Sequence, residues 1–172
     1  MSSTDAAWES RVAALWQAID RYEAQAFVEQ IESLVAEIPS ENAIGLFERA
    51  SAHDSTGRPD LAVPLYRAAL KAGLNGLRRR RATIQLASSL RNLGNAGEAA
   101  DLLFAELDAP FDELEGAVRG FLALALVDLG REREAVAHGL IALAKYLPRY
   151  NRSLARYASE IASLPGVDES AF

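Results

Sequence analysis

The chain has 172 residues, a formal net charge of -6 and no cysteine, and 50% of its residues are apolar. A chain of this length buries roughly 70% of the surface that its unfolded form exposes, so one domain can hold together without disulfides. With only His53 and His138 as soft ligands, a structural zinc site of the usual kind is excluded, no cofactor is expected, and the acidic balance argues against non-specific nucleic-acid binding.

The opening stretch, MSSTDAAWES, is acidic where a secretory signal needs a basic residue, and no apolar run long enough to span a bilayer occurs. A cytoplasmic protein is expected. Ala, Leu, Glu, Arg and Gln dominate and β-branched runs are absent, so every element reads as helix. Residues 7–40 read as a divergent first pair, from Trp8 to Asp20 and from Ala24 to Ile38, which Pro39 ends. Residues 41–75 form the next pair, closed by Gly73, Leu74, Asn75 and Gly76, since Gly and Asn tolerate positive φ. Residues 77–111 and 113–148 give two more, with Pro110 and Pro148 at their ends. Residues 150–164 read as a capping helix stopped by Pro165 and Gly166. Its outer face is Asn151, Arg152, Arg156 and Glu160, and Leu154, Ala158 and Ile161 turn inward. Residues 165–172 read as a frayed tail.

Three stretches align without a gap: GRPDLAVPLYRAAL from Gly57, GNAGEAADLLFAEL from Gly94 and GREREAVAHGLIAL from Gly130, their glycines 37 and 36 residues apart. A period of that size predicts an all-α stacked array, because one helix pair cannot bury its apolar face alone. Each glycine suits the left-handed turn between two antiparallel helices. Ala50, Ala87 and Ala123 stand seven residues ahead of the glycines and Ala62, Ala99 and Ala135 five behind, where small side chains let helix backbones approach. Charge also runs in blocks. From Leu61 to Gly97 there is no carboxylate but Arg67, Lys71, Arg78, Arg79, Arg80, Arg81 and Arg91 occur, and from Glu98 to Val118 there is no Lys or Arg. Such blocks suit mutual pairing across neighbouring helices or across a dimer interface.

The alanines at these offsets, with Tyr66, Ala69 and Ala142, resemble tetratricopeptide repeats. Glu106 and Gly139 depart from that pattern, and the aromatic at the fourth position of each repeat is missing. The run SAHDSTGRPDLAVPLYRAALKAGL followed by RRRRATIQLASSLRNLG is similar to the small bacterial family labelled group 5. The resemblance implies a right-handed α-solenoid with a C-terminal capping helix, serving as a non-catalytic protein-binding scaffold that homodimerises. It also implies a concave groove lined by the first helix of each repeat. Projected onto this chain, that groove takes Ile44, Phe47, Ser51 and Asp54, then Arg81, Ile84, Ser88, Arg91 and Asn92, then Ala117, Phe121, Ala125 and Asp128.

Arg81, Ser88, Arg91 and Asn92 are therefore expected to hold an acidic peptide or partner helix, with Phe47 and Phe121 packing its apolar side chains. The paired Lys and Asn of the chaperone-tail clamp are not reproduced. The four arginines from Arg78 to Arg81 offer an alternative, an adaptor that contacts nucleic acid or an acidic partner. Consecutive helical residues spread around nearly a full turn, however, and no aromatic residue interleaves with them. His53 beside Asp54 lacks a placed third partner for nucleophilic catalysis and reads as a packing residue. Trp8 and Trp16 share a helix face and, with Leu15 and Ile19, either bury against the next repeat or form a dimer interface.

Overall fold

A computed structural model describes residues 4–110 and 112–163. The described residues form α-helices and one short 3-10 turn, and no strand occurs among them. The chain divides into two compact units, Met1–Gly94 and Asn95–Phe172. The first holds α1 (Ala6–Gln17), α2 (Ala24–Val35), α3 (Ala43–Ser55), α4 (Pro59–Lys71) and α5 (Gly76–Asn92), with the 3-10 turn Ile19–Arg21 between α1 and α2. The second holds α6 (Ala96–Leu107), α7 (Glu115–Asp128), α8 (Glu132–Ala144) and α9 (Asn151–Ser163).

Local chemistry sets the helix ends. The Asp5 carboxylate accepts from the Trp8 amide at 2.7 Å, and the Asn42 side chain accepts from Ile44 and Gly45, each satisfying donors that a helix start leaves without partners. Pro59 opens α4, where its missing N–H is no loss. Gly57 and Gly130 adopt φ of +77° and +70°, and behind them Arg58 N–H bonds to His53 O and Arg131 N–H to Leu126 O, both at 2.8 Å. That six-to-one bond closes the preceding helix and turns the chain into its antiparallel partner.

The small positions lie where the helices meet. Ala50, Ala62, Ala87 and Ala99 are wholly buried and Ala135 nearly so, while Ala123 is half-buried. In the first unit the core runs from Trp8 and Val12 on α1 to Phe27, Val28, Ile31 and Val35 on α2 and Ala52 on α3, with Leu15, Trp16 and Ile19 packed against it. Trp8 is only 2% exposed and donates its indole N–H to Leu34 O at 2.8 Å. Trp16 meets the Phe27 ring edge-on at 5.0 Å and donates its indole N–H to the Glu48 carboxylate at 2.7 Å. Trp8, Leu15, Trp16 and Ile19 are thus an inner wall of the first unit and not an exposed dimer interface, because α2 and α3 already cover the face that carries them.

In the second unit Leu103, Val118, Leu122, Ala125, Leu126 and Ala137 make the core, and α9 buries Ala158 with Leu154 and Ile161 half-buried. Asn151, Arg152, Arg156 and Glu160 face solvent. Pro165, Gly166 and the tail 165–172 lie outside the described residues.

Candidate functional site

The four arginines at the start of α5 do not make one basic surface. Arg80 is 4% exposed and Arg79 half-buried. Arg78 reaches the Glu9 carboxylate on α1 at 2.5 Å and lies 3.6 Å from the Glu48 carboxylate on α3. Only Arg81 is exposed. A helix turns about 100° per residue, so neighbouring side chains diverge, and here the burial of their surroundings separates them further.

Glu48 is a buried carboxylate at the centre of this corner. Burial raises its pKa, against the Trp16 hydrogen bond and the charges of Arg78 and Arg81, which pull the other way. Glu9 behaves oppositely. Burial would raise it, but hydrogen bonds from Arg78 and Thr4 outweigh that and hold it below the usual carboxylate range. Glu9, Glu48, Trp16 and Arg78 together tie α1, α3 and α5 with charge-assisted bonds.

Three first-unit residues expected to line a groove are buried, Ser51 together with Phe47 and Ile84 of the core. Phe47 is 0% exposed, its ring 6.3 Å from that of Tyr66 and covered by the Arg81 guanidinium at 5.3 Å. Ile84 is buried as well. Both sit where consecutive helices press together, so neither is open to a ligand. Asp54 is half-buried and accepts from Ser89 Oγ at 2.8 Å and from the Tyr66 hydroxyl at 3.3 Å. Burial raises the Asp54 pKa against these two bonds. The Tyr66 hydroxyl also donates toward Ser51 at 3.4 Å, and burial, with the adjacent Asp54 charge, pushes its pKa far up. Ser51 and Asp54 therefore engage Tyr66 and Ser89, while burial depresses the pKa of His53. Neither hydroxyl nor carboxylate is hydrogen-bonded to that imidazole among the described residues.

What remains open in the first unit is a polar stripe on α5. Arg81, Gln85, Ser88 and Asn92 follow a spacing of four, three and four residues, hence one helix face, and none is fully buried. Arg91 is half-buried beside it. Gln85 was not among the expected residues, although the spacing that joins Arg81 to Ser88 passes through it. Its Oε1 is buried and accepts no hydrogen bond among the described residues.

In the second unit Phe121 is half-buried, Asp128 exposed and Ala125 wholly buried. The 36-residue offset between Gly94 and Gly130 carries Ile84 to Gly120, Ser88 to Leu124 and Arg91 to Val127. Leu124 and Val127 are exposed, and a side chain built on Gly120 would meet nothing within 4 Å. The expected Phe121 takes the place of Gln85 in that register, and the expected Ala125 that of the buried Ser89. Among the described residues no group of His, Asp and Glu is arranged to hold a metal ion, and no helix is long and apolar enough to cross a membrane.

The family described as Tetratrico peptide repeat matches residues 43–161, which covers α3 through most of α9. The chain belongs to this family, as a tetratricopeptide repeat protein of the group 5 type. The curated proteins give no match. A solved structure described as MamA MSR-1 C2 is similar to the tetratricopeptide chain with a TM-score of 0.59 and 21% identity, over 93% of this chain and 83% of that one. That likeness shows the fold, an all-α solenoid class of antiparallel helix pairs. Tetratricopeptide proteins of this kind are protein-interaction scaffolds, and the stripe on α5 is a polar face on such a scaffold.

Proposed function

We propose that the chain is a non-catalytic protein-binding scaffold whose α5 stripe, Arg81, Gln85, Ser88 and Asn92 with Arg91 beside it, binds a carboxylate-bearing segment of a partner. The observation that carries this reading is the state of Arg81. It is exposed, and its guanidinium lies over the fully buried Phe47 ring, 5.3 Å from the ring centre. A guanidinium so held presents its fork to a carboxylate with little further ordering. Phe121 and Asp128 stand in the second unit and are not required.

Nucleic-acid binding through Arg78 to Arg81 is the weaker reading, since Arg78 engages Glu9 and Glu48 and Arg80 is buried. Homodimerisation has lost the Trp8 and Trp16 face as its surface. The test is capture of partners from the native cell by wild-type protein beside Arg81→Glu and Asn92→Ala variants. Loss of a shared set of partners by both variants is expected. Unchanged capture by an Arg81→Glu protein with wild-type circular dichroism would refute the assignment.

A further inference from the structure

A second basic and aromatic stretch lies elsewhere, at the end of the second unit. From Lys145 to Ser159 the sequence carries Lys145, Arg149, Arg152 and Arg156 and no carboxylate. Three tyrosines interleave with them, Tyr146 at 74%, Tyr150 at 78% and Tyr157 at 52% exposure. A capping helix needs a polar outer face, not exposed aromatic rings.

Tyr150 adds a second observation. It has a φ of +66°, in the left-handed region that bulky residues avoid. Its carbonyl accepts from the Leu154 amide at 2.9 Å and from Ser153 Oγ at 3.0 Å, so the start of α9 holds it there. The ring nonetheless projects into solvent. Residues kept in such a conformation tend to cluster at functional sites.

A third observation supplies the shape. Between α8 and α9 lies a cleft of about 240 Å³, lined by Ile141, Ala144, Lys145, Asn151, Arg152 and Ala155. Small-molecule sites run to roughly 300–1,000 Å³, so this one suits a single inserted side chain. Ile141, Ala144 and Ala155 give it an apolar floor, and Lys145 and Arg152 stand at its rim. Lys145 is tied to Glu115 at 2.6 Å, and Arg156 to Glu160 at 3.2 Å with its guanidinium over Tyr157. Arg149 and Arg152 are exposed.

We propose that the α8–α9 end is a second docking site, for an acidic peptide segment that inserts one apolar side chain into this cleft and sets carboxylates on Arg149 and Arg152. Tyr and Arg are the side chains that dominate binding at protein interfaces, and the charge here complements an acidic partner. A single strand would set phosphates on the same cations and stack bases on the tyrosines, which makes it an outcome of the test; the cleft, floored by Ile141, Ala144 and Ala155 and lined by no aromatic ring, favours an apolar side chain. The site rests on the scaffold reading only in taking a protein segment as ligand, and it shares no residue with the α5 stripe.

The test is selection from an array of random dodecapeptides, with oligo(dT) and phosphatidylserine vesicles as parallel probes. Selected peptides should carry several Asp or Glu residues around one Leu, Phe or Trp. Arg149→Glu, Arg152→Glu should weaken them by about tenfold or more, and Ala155→Leu, which fills the cleft, should discriminate against the largest anchors. Tyr150→Asn removes the ring while keeping a residue that tolerates the left-handed backbone, so a loss of binding there is not a loss of folding. Arg81→Glu should leave these peptides bound, which separates this site from the α5 stripe. No acidic enrichment, affinity within about twofold of wild type in the double Glu variant, or retention of oligo(dT) or vesicles in place of peptides would overturn the proposal.

Discussion

Replacing Phe47 with Ala distinguishes a core residue from a ligand-contacting one. The ring is 0% exposed, packs 6.3 Å from the Tyr66 ring and lies under the Arg81 guanidinium. Truncating a fully buried Phe removes the transfer energy of the ring and leaves a cavity, at about 3–5 kcal/mol. Collapse into that cavity is hindered, because the Tyr66 hydroxyl is anchored between Ser51 and Asp54. Loss of the Arg81 contact adds about 0.5–1 kcal/mol, the range for an exposed cation over a ring. A surface residue waiting for a ligand would change the stability of the free protein by only about 0.5 kcal/mol. Both tryptophans, Trp8 and Trp16, lie in the first unit, so urea unfolding followed by indole fluorescence reports on that unit directly. Arg81→Ala measured alongside should cost under about 1 kcal/mol. A Phe47→Ala loss of less than about 1 kcal/mol would show that the ring is not a core element and return it to the binding face.

Gly120 and Gly57 should respond to Ala with opposite signs. Gly120 is inside α7 with nothing within 4 Å of a built Cβ, so Gly120→Ala should raise stability by about 0.5–1 kcal/mol. Gly57 has equal room but a φ of +77°, and Gly57→Ala should lose about 1–2 kcal/mol. Thermal melts that rank the two the other way would contradict the backbone argument. Glu48→Gln tests the buried carboxylate through pH. Burial raises the Glu48 pKa in the folded state, so its stabilising contribution is full below the unfolded pKa and is lost as pH rises through the folded one. Gln keeps an acceptor for Trp16 without that titration. The stability of Glu48→Gln relative to wild type should therefore rise across that window and then level, and a flat difference from acid to neutral pH would refute the burial effect.

The turn glycines and the paired alanines were legible in the sequence because their causes are local. A left-handed turn excludes most residues whatever the tertiary context, and close helix approach excludes large ones at a fixed offset. The tryptophans were half legible. Their spacing shows one apolar face, but whether that face is inside depends on indole partners 26 and 32 residues away, Leu34 and Glu48, which no local pattern announces. The same holds for Arg78, whose carboxylates come from α1 and α3. Phe47 was misplaced because a repeat's first helix has two faces, and the choice between them is made by Tyr66 and Arg81. Phe121 falls 36 residues after Gln85, so it shares the register of the α5 stripe, while Ile84, expected beside it, belongs to the buried row that Gly120 continues.

The terminal helix carries the opposite lesson, since its composition was in view and its meaning was not. Polarity explains Asn151, Arg152, Arg156 and Glu160, because a last helix must meet water on one side. It does not explain the exposed Tyr157 on that helix or the exposed Tyr146 and Tyr150 before it, nor why Tyr150 occupies a left-handed position that Gly or Asn would fill with less strain. A residue that a cap does not need, held where its backbone does not favour it, requires a reason outside the cap. The adjacent apolar cleft, lined by Arg152 and with Arg149 two residues before its Asn151, supplies one in the form of an acidic segment with a single apolar anchor.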